Sequence, residues 1–600
     1  MTPADPKEST ESISYTTELG TTTNVQEYET LPTHRTHTDK TTVEIDEKKN
    51  HSFDGHASAI DMPATEEYDL HDSMERQQQE EDKPGWFSLF YDRHRPWFHL
   101  AMWLIFTGFL AAAYALQVPK GYNQENLILG LIYAWFSIYI FFCHAPTSIV
   151  TKPWKLALKT VSAPLRLLSS RMRTLLYVAF TVSVIIVTVF SLPESPDSTR
   201  IQRLIALFGM FIFLGGVFAC SNNRRAVNWN TISGGVLLQF LLALFVFRSS
   251  VGQSIFSWAS AFARGYLSKA GYGTAFVFGD AIAGSGIFAV SVFPTVIFFA
   301  ATAQVLYYLG ALQWLLAKSA VIFKALLGVS GAESVVAVAS PFLGQGENAL
   351  LVRPFLPYMT NAELHQIMTS GFATISGAVL YGYISMGISP EALLTSCIMS
   401  IPCSLAISKL RYPETKVPMT ANEVKIPENE EKASNLLHAA GNGAATGMNI
   451  ALLICANLIS LLALLYAVNA GLTWIGNFLT IQELTLQLIT GYIFVPVAWL
   501  MGIPNNDLVT VGQLLATKIW ANEFVAYKAM LTMNLSPRTV LITTYALCGF
   551  ANLGSVGMQI GVLGTLAPKR SGDISRLAVS SMLCGAISTW VSAAIAGMLI

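Results

Sequence analysis

Two glutamates stand in surroundings where a carboxylate is costly. Glu347 lies in the run Ser334–Val352, reading Ser-Val-Val-Ala-Val-Ala-Ser-Pro-Phe-Leu-Gly-Gln-Gly-Glu-Asn-Ala-Leu-Leu-Val, and Glu523 follows Asn522 between the apolar arms Leu508–Trp520 and Phe524–Leu531. One carboxylate at membrane depth costs about 2.5–3.5 kcal/mol, so the pair costs about 5–7 kcal/mol, which a purely structural helix has no reason to bear. What such a group offers is acceptance of hydroxyl or N–H hydrogens, or the binding of a cation or proton. Around Glu347, Pro341 breaks a helix and Gly344 and Gly346 permit a sharp reversal. Each flanking arm is about ten residues, roughly 15 Å of helix, which reaches mid-bilayer and no further. The expectation is two re-entrant helical hairpins, at 332–355 and 507–530, with Glu347 and Glu523 near their tips. Non-helical backbone at that depth must be enclosed by protein or face a water-filled cavity.

The elements that follow the two tips repeat each other. Gly371-Phe372-Ala373-Thr374-Ile375-Ser376-Gly377 begins 24 residues after Glu347, and Gly549-Phe550-Ala551-Asn552-Leu553-Gly554-Ser555 begins 26 residues after Glu523. Duplicated, interrupted helices at corresponding positions point to a secondary transporter with its binding site near the midplane. A salt bridge inside the bundle, for instance between Glu523 and Lys518, is the structural alternative for the glutamates.

Around these segments the chain is built for a membrane. Of 600 residues 52% are hydrophobic and 12% charged, against about 25% charged in ordinary soluble domains. Residues 1–97 are polar and read as a disordered cytoplasmic tail. The first long apolar run begins near Phe98, so no N-terminal signal peptide is expected. Apolar runs of spanning length follow at about 98–118, 127–147, 174–193, 203–221, 229–249, 286–309, 363–387, 391–409, 448–469, 538–566 and 575–599. Residues 251–284 and 484–502, the latter with Pro496, read as interfacial pieces. The fold class expected is therefore all-α and polytopic, with about eleven transmembrane helices, two re-entrant hairpins in an inverted repeat, and interfacial helices. Peripheral helices would occupy 98–195 and the transporter core 196–600.

Charge sets the orientation. Lys152, Lys155, Lys159, Arg166, Arg171 and Arg173 crowd the segment 149–173 without an acidic residue, which the positive-inside rule places in the cytoplasm. Two spans precede it, so the N-terminus is cytoplasmic; with eleven spans the C-terminus is extracellular, and the two hairpins enter from opposite sides. No basic stripe suggests nucleic acid. The seven cysteines lie in or beside apolar runs and form neither a disulfide framework nor a metal pattern. No His/Asp/Glu cluster or Ser/His/Asp set argues for an enzyme, and no cofactor is expected beyond a co-transported ion.

These residues resemble a known family. Ala516-Thr517-Lys518-Ile519-Trp520-Ala521-Asn522-Glu523-Phe524-Val525-Ala526-Tyr527 is similar to the signature of concentrative nucleoside transporters at every specified position. Gly344-Gln345 with Glu347 resembles the family's first-hairpin tip, and Leu547–Leu553 its broken helix. The similarity runs from about residue 285 to 600. The resemblance implies a plasma-membrane homotrimer in which each protomer moves a transport domain against a scaffold. It implies that Gln345 and Glu347 bind the nucleobase, that Glu523, Asn552 and Ser555 bind the ribose hydroxyls, and that Val379 and Phe550 pack on base and sugar. An apolar base face flanked by donors and acceptors suits such a lining.

The cation site is where the chain departs from the family. The resemblance implies a sodium site built from an asparagine at position 340, a hydroxyl at Thr374, and backbone carbonyls of Leu343, Thr374 and Ile375. Here position 340 is Ser340, followed by Pro341, and a tip threonine is replaced by Gly346. Sodium wants several hard oxygen ligands and a serine reaches less far, so the expectation favours a proton, with Glu347 as its carrier, over sodium; proton-driven members exist in the family. Gly344, Thr374 and Ile375 resemble the members that accept purines. The rival classes are a sodium-coupled symporter and a passive channel for small polar solutes.

Overall fold

The computed structural model describes residues 86–117, most of 129–141, and 169–600 apart from 196–197 and 421–432. The described residues are mainly helical, in two compact units that divide after Thr151.

In the first unit, α1 (Trp86–Gln117) runs through Pro96 and starts well before the expected boundary at residue 98. It packs on helical turns within 129–141: Trp103 Nε1 donates to Ser137 Oγ at 2.9 Å, and the rings of Phe106 and Phe136 meet edge-on at 5.3 Å. The rest of the polar tail, and much of the span expected at 127–147, lie outside the described residues.

The second unit holds α2 (Ser170–Ser191), α3 (Arg200–Ala219), α4 (Trp229–Arg248), α5 (Ser250–Leu267), α6 (Ala270–Phe278), α7 (Asp280–Ala283), α8 (Phe288–Tyr308) and α9 (Ala311–Leu327). Then come α10 (Gly331–Ala339), α11 (Gln345–Leu350), α12 (Asn361–Ala373), α13 (Gly377–Ser385), α14 (Pro390–Arg411) and α15 (Leu436–Phe478). The chain closes with α16 (Leu486–Leu500), α17 (Leu508–Trp520), α18 (Glu523–Leu531), α19 (Pro537–Leu547), α20 (Leu553–Leu566) and α21 (Ser571–Leu599). The α2 helix belongs to this unit.

Among the described residues nine helical segments are long and apolar enough to cross a membrane, matching nine of the eleven expected runs. The remaining difference within the described chain is 538–566, which is not one span but α19 and α20, broken at Cys548–Asn552. The segment 361–385 is likewise broken between Ala373 and Gly377. Both hairpins form: α10 and α11 flank the turn at Ser340–Gly344, and α17 and α18 flank Ala521–Asn522. The arms of the first are nine and six residues, shorter than the ten expected, because Pro341 stops one arm and a 3-10 turn at Arg353–Tyr358 stops the other. The expected interfacial piece at 484–502 is α16, which pairs closely with α17. A methyl group on Gly512 would stand 2.4 Å from Gly491 O, so only glycine permits this approach.

Burial separates two kinds of helix. In an apolar 18-residue stretch of the spans 361–385, 390–411 and 568–599, 89% of the residues are buried, against 11% in the corresponding stretch of 288–308 and 436–478. The long α15, with 43 residues, carries exposed apolar side chains such as Ile459, Leu464 and Tyr466, as α2 and α3 do at Val187 and Ile201. Such faces suit lipid or a neighbouring subunit. The buried helices form the frame that holds the hairpins and breaks.

Candidate functional site

Four helices begin where the chain is interrupted, and each N-terminus is capped from within. Ser376 Oγ accepts from Val379 N, Asn522 Oδ1 from Val525 N at 3.1 Å, and Asn552 Oδ1 from Ser555 N at 2.8 Å. At the first tip the roles reverse: Gly344 has no side chain, and Glu347 Oε2 reaches back to accept from Gly344 N at 3.0 Å. Each cap satisfies a donor that the first turn of a helix leaves free. The N-terminal ends carry partial positive charge, so α11 and α18 favour the carboxylates of Glu347 and Glu523 in their first turns.

The two repeats interlock reciprocally. The first tip packs on the distal half-helix of the second repeat, with Gln345 Nε2 3.2 Å from Met558 Sδ and Gly346 against Val562. The second tip packs on the distal half-helix of the first, where Tyr383 OH donates to Glu523 Oε1 at 2.8 Å and the Tyr383 and Phe524 rings lie 4.5 Å apart. Each tip also touches the break of its own repeat: Gly377 N donates to Phe342 O at 3.3 Å, and Asn552 Nδ2 donates to Glu523 Oε2 at 3.0 Å. The breaks meet through Phe550 N, which donates to Thr374 O at 3.4 Å.

Glu523 is 2% exposed, and both carboxylate oxygens are held by neutral donors. A hydrogen bond to a charged group contributes about 1.5–3 kcal/mol, so two offset the cost of placing this carboxylate here. The alternative partner Lys518 instead donates to Ala546 O at 2.8 Å and Thr589 Oγ1 at 3.3 Å. Asn552 is fixed at both ends of its carboxamide, capping α20 with its oxygen and binding Glu523 with its nitrogen. The result is a rigid acceptor beside Ser555 (7% exposed), suited to hydroxyl hydrogens.

Of the sequence-derived candidates, the structure therefore brings Glu523, Asn552 and Ser555 together directly. Gln345 and Glu347 sit at the tip that packs on α20, Val379 is buried in the first turn of α13, and Phe550 lies in the second break. For the cation candidates, the tip segment containing Leu343 lies on the break containing Thr374 and Ile375, joined by the bond from Gly377 to Phe342. Thr374 Oγ1 donates to Ser370 O at 3.1 Å. Ser340 is engaged elsewhere: its hydroxyl donates to Val336 O at 2.8 Å and accepts from Asn348 Nδ2 at 2.9 Å.

Three residues of this region escaped the sequence reading. Tyr383 stands one helical turn beyond Val379 on the same face, and that i, i+4 spacing was the available signal. Asn348 lay within the polar tip run without a role assigned to it, and Gln559 is a lone carboxamide in the apolar α20, where nothing local distinguishes it from polar filler. A second missed feature is a buried charge cluster at the base of the first hairpin, beside a cavity of about 200 Å³. There Lys409 Nζ lies 2.5 Å from Glu333 Oε1 and 3.3 Å from Glu414 Oε2, and Glu363 accepts from Ser330 Oγ at 2.8 Å. A larger cavity of about 520 Å³ lies along α5, α6, α8 and α13, with Tyr381 and Ile384 in its wall.

Three family models match successive stretches: Na+ dependent nucleoside transporter N-terminus over 208–281, nucleoside recognition (Gate) over 289–390, and Na+ dependent nucleoside transporter C-terminus over 392–597. Sodium/nucleoside cotransporter 1 of Mus musculus is 39% identical over 417 residues, 67% of this chain and 64% of that protein. The chain thus spans just under two thirds of that relative's length. Solute carrier family 28 member 3 of Mus musculus is 34% identical over 574 residues, 91% of this chain and 80% of that protein. Among solved structures, CNTnw in an inward-facing substrate-bound state aligns with a TM-score of 0.63 at 34% identity, covering 66% of this chain and 98% of that one. A substituted CNTnw in an outward-facing state gives 0.64 at 35% identity, covering 67% and 99%. The chain belongs to the family of concentrative nucleoside transporters.

Proposed function

We propose that this protein is a secondary active nucleoside symporter of the plasma membrane, driven by a cation gradient. The observation that carries the reading is the Glu523 carboxylate, buried at a hairpin tip and held by Tyr383 and Asn552 beside Ser555. It is a fixed acceptor for ribose hydroxyls, and Gln345, Glu347, Val379 and Phe550 supply the groups for base and sugar. Gly344, Thr374 and Ile375 support a leaning toward purine nucleosides. The family resemblance supports a homotrimer, and the basic segment 149–173 supports a cytoplasmic N-terminus and an extracellular C-terminus. A transporter of this kind performs no covalent chemistry and needs no cofactor beyond the co-transported ion.

The printed names of the relatives support sodium as that ion. One observation particular to this chain supports a proton instead: the Ser340 hydroxyl is already bonded to Val336 and Asn348, leaving it little to offer a metal ion. Uptake of labelled adenosine into proteoliposomes against its gradient tests the whole reading. Accumulation above the external concentration is expected when a cation gradient is imposed, and mere equilibration would establish a passive channel. Imposing sodium and pH gradients separately assigns the ion.

A further inference from the structure

Gln559 is 1% exposed on α20, and neither its Oε1 nor its Nε2 has a hydrogen-bond partner among the described residues. Gln345, 6% exposed, is nearly as poorly served: its Oε1 has no partner and its Nε2 has the thioether of Met558, a weak acceptor. The two carboxamides converge over Gly371. A methyl group there would stand 3.1 Å from Gln345 Cβ and 3.6 Å from Gln559 Nε2, so the glycine lets α11 and α20 pack closely on α12 and brings the two carboxamides together.

The position on the helix gives the direction. Gln559 follows Ser555 by four residues and Asn552 by seven, so all three share one face of α20. From Asn552 to Gln559 the helix rises about 10 Å, comparable to the reach of a nucleoside from its ribose hydroxyls to the far edge of its base. Buried polar groups in native proteins are normally bonded, and one left without partners calls for a ligand or a role.

We propose that Gln559, opposite Gln345, reads the hydrogen-bonding edge of the nucleobase. A carboxamide offers a donor and an acceptor side by side, the complement of adenine N1 with its 6-amino group or of hypoxanthine N1–H with its 6-oxo group. The selected class is nucleosides whose base presents adjacent donor and acceptor atoms on one edge. The inference rests on the nucleoside reading of the Glu523 site.

The test is initial-rate uptake of adenosine, inosine, guanosine and purine riboside by the full-length protein, with surface amount measured for every variant. Gln559→Leu is expected to raise KM for adenosine and inosine about tenfold or more, the loss of one paired edge, while purine riboside, which lacks the 6-substituent, changes much less. Gln559→Glu keeps the shape but offers only acceptors. It is expected to raise the ratio of guanosine to inosine uptake, because guanine presents two adjacent donors at N1 and the 2-amino group. Equal losses for all four nucleosides would show that Gln559 merely fastens the hairpin tip, and would overturn the proposal. Unchanged selectivity in Gln559→Glu would also overturn it, even if Gln559→Leu fails to reach the membrane. Glu523→Gln separates the two levels: if it transports normally, the nucleoside site itself is misassigned. If it is impaired while the Gln559 variants keep parental selectivity, only the Gln559 inference falls.

Discussion

The hydroxyl of Tyr383 donates to Glu523 Oε1 at 2.8 Å, joining two residues 140 positions apart that belong to different repeats. The bond orients the carboxylate and ties the second hairpin tip to α13. Tyr383→Phe removes one of two neutral donors while keeping the ring contact with Phe524. A hydrogen bond to a charged group contributes about 1.5–3 kcal/mol, so kcat/KM for nucleoside uptake is expected to fall by about tenfold or more. Glu523→Gln is expected to lower it further. Parental kinetics in Tyr383→Phe would remove Tyr383 from the site.

Asn552 has two functions that a single substitution separates. Asn552→Asp keeps an oxygen for Ser555 N and so preserves the cap of α20, but replaces the donor to Glu523 with a second acceptor. Nucleoside affinity is expected to drop, and stability to fall although the cap is kept, because two buried carboxyls about 3 Å apart repel unless they share a proton. Asn552→Ala loses both functions; loss of the cap alone costs about 0.5–2 kcal/mol. If the two variants were equally active and equally stable, the dual role would be refuted.

Ser340 is the residue on which the ion is read. Ser340→Asn restores the longer carboxamide that the family resemblance implies at this position. Stimulation of uptake by sodium at constant pH is expected to be larger in Ser340→Asn than in the parent. Identical sodium dependence in both would show that position 340 does not govern the choice of ion.

Lys409 neutralises a buried cluster at the base of the first hairpin, 2.5 Å from Glu333 and 3.3 Å from Glu414. Removing one partner of a buried ion pair costs about 3–5 kcal/mol because the other charge is left uncompensated. Lys409→Met is therefore expected to lower the melting temperature and the surface amount sharply. Combining it with Glu333→Gln should recover part of the loss, and no recovery would argue against the pairing as the cause.

Helix packing on the first break can be probed at Gly585 of α21. A methyl group there would lie 2.4 Å from Phe372 Cβ, whereas one on Gly557 of α20 meets nothing within 4 Å. Overpacking costs about 1–3 kcal/mol, so Gly585→Ala should lower the melting temperature. Gly557→Ala should leave it unchanged or raise it slightly, since alanine favours a helix by about 1 kcal/mol over glycine. The opposite order would contradict the tight approach of α21 to α12.

The sequence by itself determined the class of fold and the chemical character of the site. Apolar runs of spanning length set the helices, since backbone groups in lipid must be satisfied within the helix. Pro341, the tip glycines and the costly Glu347 and Glu523 marked the hairpins, and the Asn522–Tyr527 motif marked the second tip. These signals are local, which is why they were legible. The tertiary structure decided which donors hold the carboxylates. Tyr383 and Asn552 reach Glu523 only because the repeats interlock, and no spacing rule links residue 383 to residue 523. Apolar content alone suggested a single span over 538–566, whereas the resemblance at Leu547–Leu553 already implied a break there, and the structure ends one helix at Leu547 and caps the next with Asn552. Lys518, the local candidate to pair with Glu523, turned instead to a carbonyl and a hydroxyl. The contact of Gln345 with Met558, 213 positions away, was likewise set by packing between segments distant in sequence. A buried side chain finds its partner in space, and the sequence records only the groups it brings.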